Sequence, residues 1–253
     1  FRQLEIFKYL NYKPTFSHMP LIHNQQNQKL SKRDNIVSMN DYKNKGFLKE
    51  SLINYMLRMG WSYGNNEIIT VNEAIEHFTL NKVGKSPSMI DEKKLLFLNN
   101  YFINNIDEKD LFERIKITDE NNSDLDSKLK QKKFQLMKIF KLRSSTTIEI
   151  RDKIYDIFSI KKNFNNEEKE ILEIFYKNKS FIIDEFTSIK EWNEYIIDQK
   201  LKDILNKLEI KFKELGQPIR LLLTNSLNGP SVAKIMEIIG KCIQIFGFTN
   251  YFW

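Results

Sequence analysis

At 253 residues, with 40 Lys and Arg against 33 Asp and Glu, the chain carries a formal charge of +7 and a pI near 9.2, a balance that favours polyanionic partners. Cys242 is the only cysteine, which excludes a disulfide or a cysteine-based zinc site within the chain; no metal site is expected, and a reducing, cytoplasmic setting is. No apolar stretch reaches membrane-spanning length and Phe1-Arg2-Gln3-Leu4 has no signal-peptide layout, so no membrane association is expected.

Residues 2 to 10 place Leu4, Phe7 and Leu10 on one side of a helix, and 16 to 22, with Pro20 inside, suits a short strand. A polar loop then leads to Lys29-Leu30-Ser31-Lys32-Arg33. Ser38 with Asp41, Thr70 with Glu73 and Ser188 with Glu191 form capping-box patterns, predicting helix starts near 39, 71 and 189. Gly46 and Gly60 sit at expected helix exits, and Pro230 at a first-turn position. Amphipathic stretches follow at 49 to 59, 91 to 99, 126 to 140, 148 to 158 and 166 to 176. The polar stretch 118 to 126 reads as a surface loop, and 177 to 180 as a break that divides the second half into two helical lobes. No internal repeat is found, and the fold class expected is mainly α.

The pentapeptide Lys29-Leu30-Ser31-Lys32-Arg33 resembles the KMSKS signature of class I aminoacyl-tRNA synthetases, and its flanks, Ser17 to Ile22 and Ser38 to Tyr42, resemble those of glutamyl-tRNA synthetases. Further on, Gly46-Phe47-Leu48, Leu52-Ile53-Asn54-Tyr55 and Met59-Gly60-Trp61-Ser62 are similar to that family's GYLPEALLNYLxxLGWS run. Asp91, Lys94-Leu95, Phe97-Leu98-Asn99 and Phe102-Ile103 follow a D-x-x-K-L-x-W-[LM]-N-x-x-Y-[IL] pattern, with Phe97 in place of tryptophan. Gln217-Pro218-Ile219-Arg220 with Leu223-Thr224-Asn225 and Gly229-Pro230 resembles PLRxALTGxxxGP. Asn225 stands where the family has glycine, so a positive φ there is in question, although asparagine tolerates that region.

The resemblance covers nearly the whole chain and implies its fold and chemistry. A remnant of a Rossmann-type catalytic domain with the KLSKR loop is expected over 1–37 and a stem-contact domain over 38–105. An all-helical anticodon-binding domain is expected over 106–253, with lobes 106–178 and 179–253. Mixed-charge helices in the second half, rather than the alternation of a barrel, point to the bacterial-type glutamyl enzyme. The implied reaction is ATP-dependent attachment of glutamate to tRNA(Glu), with Mg2+ accompanying ATP in the parent enzyme. Lys32, supported by Lys29, would neutralise developing charge on the phosphates, because positioned cations stabilise such a transition state more than the ground state.

No HIGH motif occurs, and His18, His23 and His77 are scattered. The chain is therefore expected to be the C-terminal portion of a longer enzyme, binding no nucleotide by itself, with a monomer expected. Arg143, in Lys141-Leu142-Arg143-Ser144-Ser145-Thr146, resembles the R-x-x-T-L segment whose arginine contacts the third anticodon base; an ordinary helix-end arginine would look the same in sequence. Trp61, Trp192 and Trp253 could stack on bases, but helix-spaced apolar neighbours favour core packing for the first two. Two other functions fit the composition: a free-standing, non-catalytic tRNA-binding module and a helical protein-interaction scaffold. The abundance of Lys, Asn, Ile and Phe matches an AT-rich coding sequence, so charge alone does not decide among them.

Overall fold

The structure is a computed structural model that describes residues 2–29, 38–115, 127–158 and 163–241. Leu30, Ser31, Lys32 and Arg33 of the pentapeptide, the stretch 118–126, Cys242 and Trp253 lie outside the described residues. Two compact units make up the chain, Phe1–Phe102 and Ile103–Trp253. Among the described residues the fold is mainly α, as the sequence implies, with one two-stranded sheet.

The first unit runs α1 (Arg2–Tyr9), β1 (Ile22–His23), α2 (Met39–Asn44), α3 (Lys49–Arg58), α4 (Val71–His77), β2 (Ser88–Met89) and the greater part of α5 (Glu92–Asn105). Helices α2 and α4 begin where the capping boxes predict. Ser38 Oγ accepts from the Asp41 amide at 3.2 Å while the Asp41 carboxylate accepts from the Ser38 amide at 2.7 Å. Thr70 and Glu73 repeat the exchange at 3.2 and 2.8 Å. Helix α2 exits through Gly46 at φ 83°, with the Phe47 amide reaching back to the Tyr42 carbonyl at 3.0 Å, a closure that needs a left-handed residue. At Gly60 the requirement is space, since a Cβ there would lie 2.5 Å from Met19 Cε and 3.3 Å from Pro20 Cδ.

The strand expected over 16 to 22 forms only at Ile22–His23, which pairs in parallel with Ser88–Met89; Pro20 has no N–H to give a ladder. Two small apolar clusters lie beneath these elements. One is Leu52, Tyr55, Leu95 and Leu98; the other is Trp61, Ile69 and Ala74.

The second unit is a helix assembly: α6 (Glu108–Ile115), α7 (Ser127–Phe140), a 3-10 turn at Lys141–Arg143, α8 (Thr147–Phe158), α9 (Asn166–Lys177), α10 (Lys179–Thr187), α11 (Glu194–Leu208), α12 (Phe212–Thr224) and α13 (Val232–Ile239). Helix α12 packs on α8, α9 and α11, and α13 on α7 and α11. Leu111, Leu136, Ile150, Ile154, Leu172, Phe175, Ile197, Leu215, Ile219 and Ile235 are fully buried between them. Helix α13 buries Val232, Ala233, Ile235, Met236, Ile238 and Ile239, apolar almost all round as a helix enclosed by others must be.

The third capping pattern is corrected by the structure. Ser188 closes α10 instead of opening a helix: its hydroxyl donates to the Glu185 carbonyl at 2.7 Å, and its amide to Asp184. Helix α11 starts at Glu194, capped by the Asn193 side chain, because Ile189 is buried and the Trp192 indole donates to the Met236 carbonyl at 2.8 Å, fixing 189–192 as a non-helical segment. Pro230 lies just outside α13, whose cap is Ser231, so it precedes the first turn. Helix α5 continues to Asn105, beyond the stretch ending at 99. Between α9 and α10 the chain breaks only at Asn178, which ends one helix and begins the next.

Candidate nucleic-acid interface

The approach to the lysine pentapeptide is built by asparagines. Asn24 Oδ1 accepts from the amides of Gln26 and Gln28 at 3.0 and 2.9 Å, and Asn27, at φ 59°, places its Oδ1 2.9 Å from His23 Nδ1. This tight turn brings Lys29 back across His23 in an antiparallel bridge, with the lysine exposed. Lys29 is the one residue of the pentapeptide inside the described residues. His18 is exposed.

The motif residues between 46 and 103 turn out to hold the first unit together. Asn99, fully buried, accepts from the Leu48 amide at 2.8 Å, lies 2.7 Å from Ser51 Oγ and donates to the Gly46 carbonyl at 3.3 Å, tying the start of α3 to α5. Asn54, also fully buried, donates to the Glu67 carbonyl at 3.0 Å and accepts from the Ile69 amide at 2.8 Å. The Tyr55 hydroxyl accepts from the Asp91 amide at 2.7 Å, and burial pushes its phenol pKa up. Asp91 caps α5 through the Lys94 amide, and Lys94 pairs with Glu67 at 3.1 Å. Phe97 is 54% exposed. Trp61 is buried and stacks on Tyr63, as core packing requires.

The second unit brings cations together around the loop between α12 and α13. Arg143, at the end of the 3-10 turn, donates from Nη1 to the Gly229 carbonyl at 2.8 Å. Arg220, on α12, donates from Nη1 to the Leu227 carbonyl at 3.2 Å, and its Nε is buried with no hydrogen-bond partner among the described residues. Two arginines from separate elements thus pin one loop. The loop is also braced internally: Asn225 adopts φ 53°, answering the question raised by the missing glycine, and the Ser226 hydroxyl donates to the Asn228 carbonyl at 3.0 Å. Lys153 on α8 donates to the Arg143 carbonyl at 2.7 Å and to Ser144 Oγ at 2.9 Å.

Burial is the main cause that lowers the pKa of Lys153; Glu149 opposes it and Arg143 adds to it. Arg220 is likewise lowered by burial first and by the charge of Arg143 second. Lys153 and Arg220 are partly desolvated and repelled by Arg143, so an anion or a row of acceptor atoms beside the three would be favoured. Each arginine commits one of its five N–H donors to the loop in a fixed direction, the geometry in which a guanidinium can recognise a planar acceptor edge. Lys153 and Arg220 were not singled out in the sequence as site residues. Arg220 lay inside a recognised motif, whereas Lys153 is one lysine among many on amphipathic helices.

Residues 2–97 match the family described as tRNA synthetases class I (E and Q), catalytic domain, and residues 100–243 match the anticodon binding domain family. The chain belongs to the class I tRNA synthetases of this glutamate and glutamine type, through a match to both their catalytic and anticodon-binding domains. More particularly, it is 36% identical to the glutamate–tRNA ligase 1 of Ehrlichia canis over 96% of its own length, and 36% identical to the glutamate–tRNA ligase of Pelagibacter ubique over 95%. The chain spans about half the length of the curated relatives it matches, 54% and 52% respectively. In fold it is similar to a glutamate tRNA ligase from Elizabethkingia meningosepticum, with a TM-score of 0.80 at 22% identity, covering 99% of this chain and 54% of that one.

Proposed function

We propose that this protein takes part in ATP-dependent attachment of glutamate to tRNA(Glu), the first committed step in supplying that residue to protein biosynthesis. The observation that carries the proposal is the order of the two family matches along a chain whose second half is helical and gathers Arg143, Arg220 and Lys153 at one loop. Residues 38–105 would contact the tRNA stem and 106–253 the anticodon, with Arg143 donating to the third anticodon base. Lys29 and Lys32 would hold the ATP phosphates. The exposed, Asn-turn-mounted Lys29 suits that task, since an ammonium on a short loop can follow phosphoryl oxygens as charge develops on them. Mg2+ would arrive on the nucleotide, to which this chain's described residues offer cations. Glutamate would be bound by a segment carrying the HIGH motif in the same polypeptide. A monomer acting in the cytoplasm suits that role; among the described residues no helix is long and apolar enough to cross a membrane.

The test uses the polypeptide encoded by the complete reading frame. Glutamate-dependent pyrophosphate exchange should fall at least about a hundredfold in Lys32→Ala, with little change in tRNA affinity, as for a group acting in the transition state. A loss of tRNA binding with an unchanged exchange rate would contradict the assignment of Lys32.

A further inference from the structure

A second cationic feature lies in the first unit, away from the lysine pentapeptide. Arg58, Lys82 and Lys85, with Ser62, Ser86 and Trp61, line an open bowl of about 190 Å³ that has no Asp or Glu among its described lining residues. From these residues we infer a phosphate-binding site, which takes either a phosphodiester of an RNA backbone or a free phosphate. The inference rests on the proposed function only for the RNA source of that phosphate.

The bowl is assembled from two segments stitched to one another. The Gly84 amide donates to the Gly60 carbonyl at 2.8 Å, Trp61 and Val83 form an antiparallel bridge, and the Ser88 hydroxyl donates to the Met59 carbonyl. Two of its cations are held in place by partners other than acids. Arg58 donates from Nη1 to the Asn66 carbonyl at 2.9 Å, a neutral acceptor, and four of its N–H donors are uncommitted by that bond. Lys82 sits 5.4 Å above the Tyr63 ring, and Tyr63 stacks between Trp61 and His77. Lys85 has no ion pair or hydrogen bond among the described residues. The carboxylate of Glu67, which could have compensated Arg58, is paired with Lys94.

Beneath the bowl lies the apolar cluster that holds its floor. Trp61 is 2% exposed, yet its indole N–H has no hydrogen-bond partner among the described residues. Three cations of one sign, with two serines beside them, match the needs of an oxyanion carrying several lone pairs.

The indole N–H resonance of Trp61, a residue of the bowl's lining, serves as a nearby reporter, and comparison with Trp61→Phe assigns it. Titration with inorganic phosphate and, separately, with an RNA duplex lacking any anticodon loop should move that resonance saturably. A shift with the duplex alone identifies the ligand as backbone phosphodiester; a shift with inorganic phosphate identifies a free-anion site. In the double variant Lys82→Gln, Lys85→Gln, both positions being exposed, the duplex should bind with a salt dependence shallower by roughly 0.7 to 0.9 in log–log slope per lysine removed. No shift with either ligand, or a shift and salt slope unchanged in the double variant, would overturn the site. An unchanged preference among anticodon hairpins in that variant separates this result from any failure of the anticodon assignment.

Discussion

The two units are held by different means. In the first, small apolar clusters are supplemented by buried side-chain amides: Asn54 and Asn99 each satisfy backbone groups of segments far away in sequence. In the second, a broad apolar core drawn from helices α6 to α13 does the work, and the arginines and Lys153 lie at the margin of it on loop-facing positions. Polar clamps need particular residues at particular places, so they leave recognisable motifs, whereas an apolar core accepts many sequences of similar volume. The conspicuous motifs between 46 and 103 are therefore structural.

Large-to-small changes in the second core should have the largest effect. Phe175→Ala, fully buried between α9 and its neighbours, should cost about 3–5 kcal/mol in urea unfolding. A loss below about 1 kcal/mol would mean that this core is loosely packed. In the first unit Asn54→Ala should cost about 1–3 kcal/mol for each buried group it orphans, the Ile69 amide foremost. If Asn54→Ala proves neutral while Leu98→Ala does not, the polar clamps are dispensable and the contrast between the units fails.

Helix ends distinguish the units less. Asn225→Ala forces a Cβ-bearing residue without a compensating side chain into the left-handed region and removes a hydrogen bond to the Asp156 carbonyl, so about 1–2 kcal/mol of stability should be lost, and Asn225→Gly should recover part of it. Equal stability of the two variants would show that the backbone is not held at φ 53°.

A smaller effect is expected from pH. The hydrogen bonds from Lys207 and Lys200 hold the Glu185 carboxyl below the usual carboxylate range. A depressed carboxylate pKa contributes stability that is present above the unfolded value, near 4.3, and is lost as pH falls through the folded value. Wild type should therefore lose more stability than Glu185→Gln between about pH 5 and pH 3. Parallel pH profiles would remove the ion pairs from the second unit's stability.

Much of this fold was legible because its signals are local. Two capping boxes placed α2 and α4, Gly46 marked an exit, and the amphipathic stretches fell on α3, α5, α7, α8 and α9. Helices α12 and α13 were not delimited as amphipathic stretches: Gly216 and Pro218 interrupt the first, and the second, eight residues long, was marked only by Pro230 just ahead of it. Ser188-x-x-Glu191 misled because the same residue types that open helices also close them; only the buried Ile189 and the Trp192 bond to Met236 decide which. Of the candidate site, Arg143 was visible through a weakly flanked motif. Its convergence with Arg220 and Lys153 spans residues 143 to 229 and depends on packing that no local pattern encodes.

The anticodon assignment is tested most directly by binding two tRNA(Glu)-type anticodon hairpins that differ only at the third anticodon base, cytosine or guanine, to the wild-type protein and to Arg143→Gln. Cytosine presents acceptors that a guanidinium can satisfy, while the corresponding edge of guanine presents N–H donors that would face it unpaired. Wild type should prefer cytosine, and Arg143→Gln should narrow that preference by about 1–3 kcal/mol while leaving salt-dependent, non-specific affinity nearly intact. An unchanged ratio would reduce Arg143 to a residue that merely pins the 225–229 loop, and equal binding of both hairpins by wild type would contradict anticodon reading by this cluster.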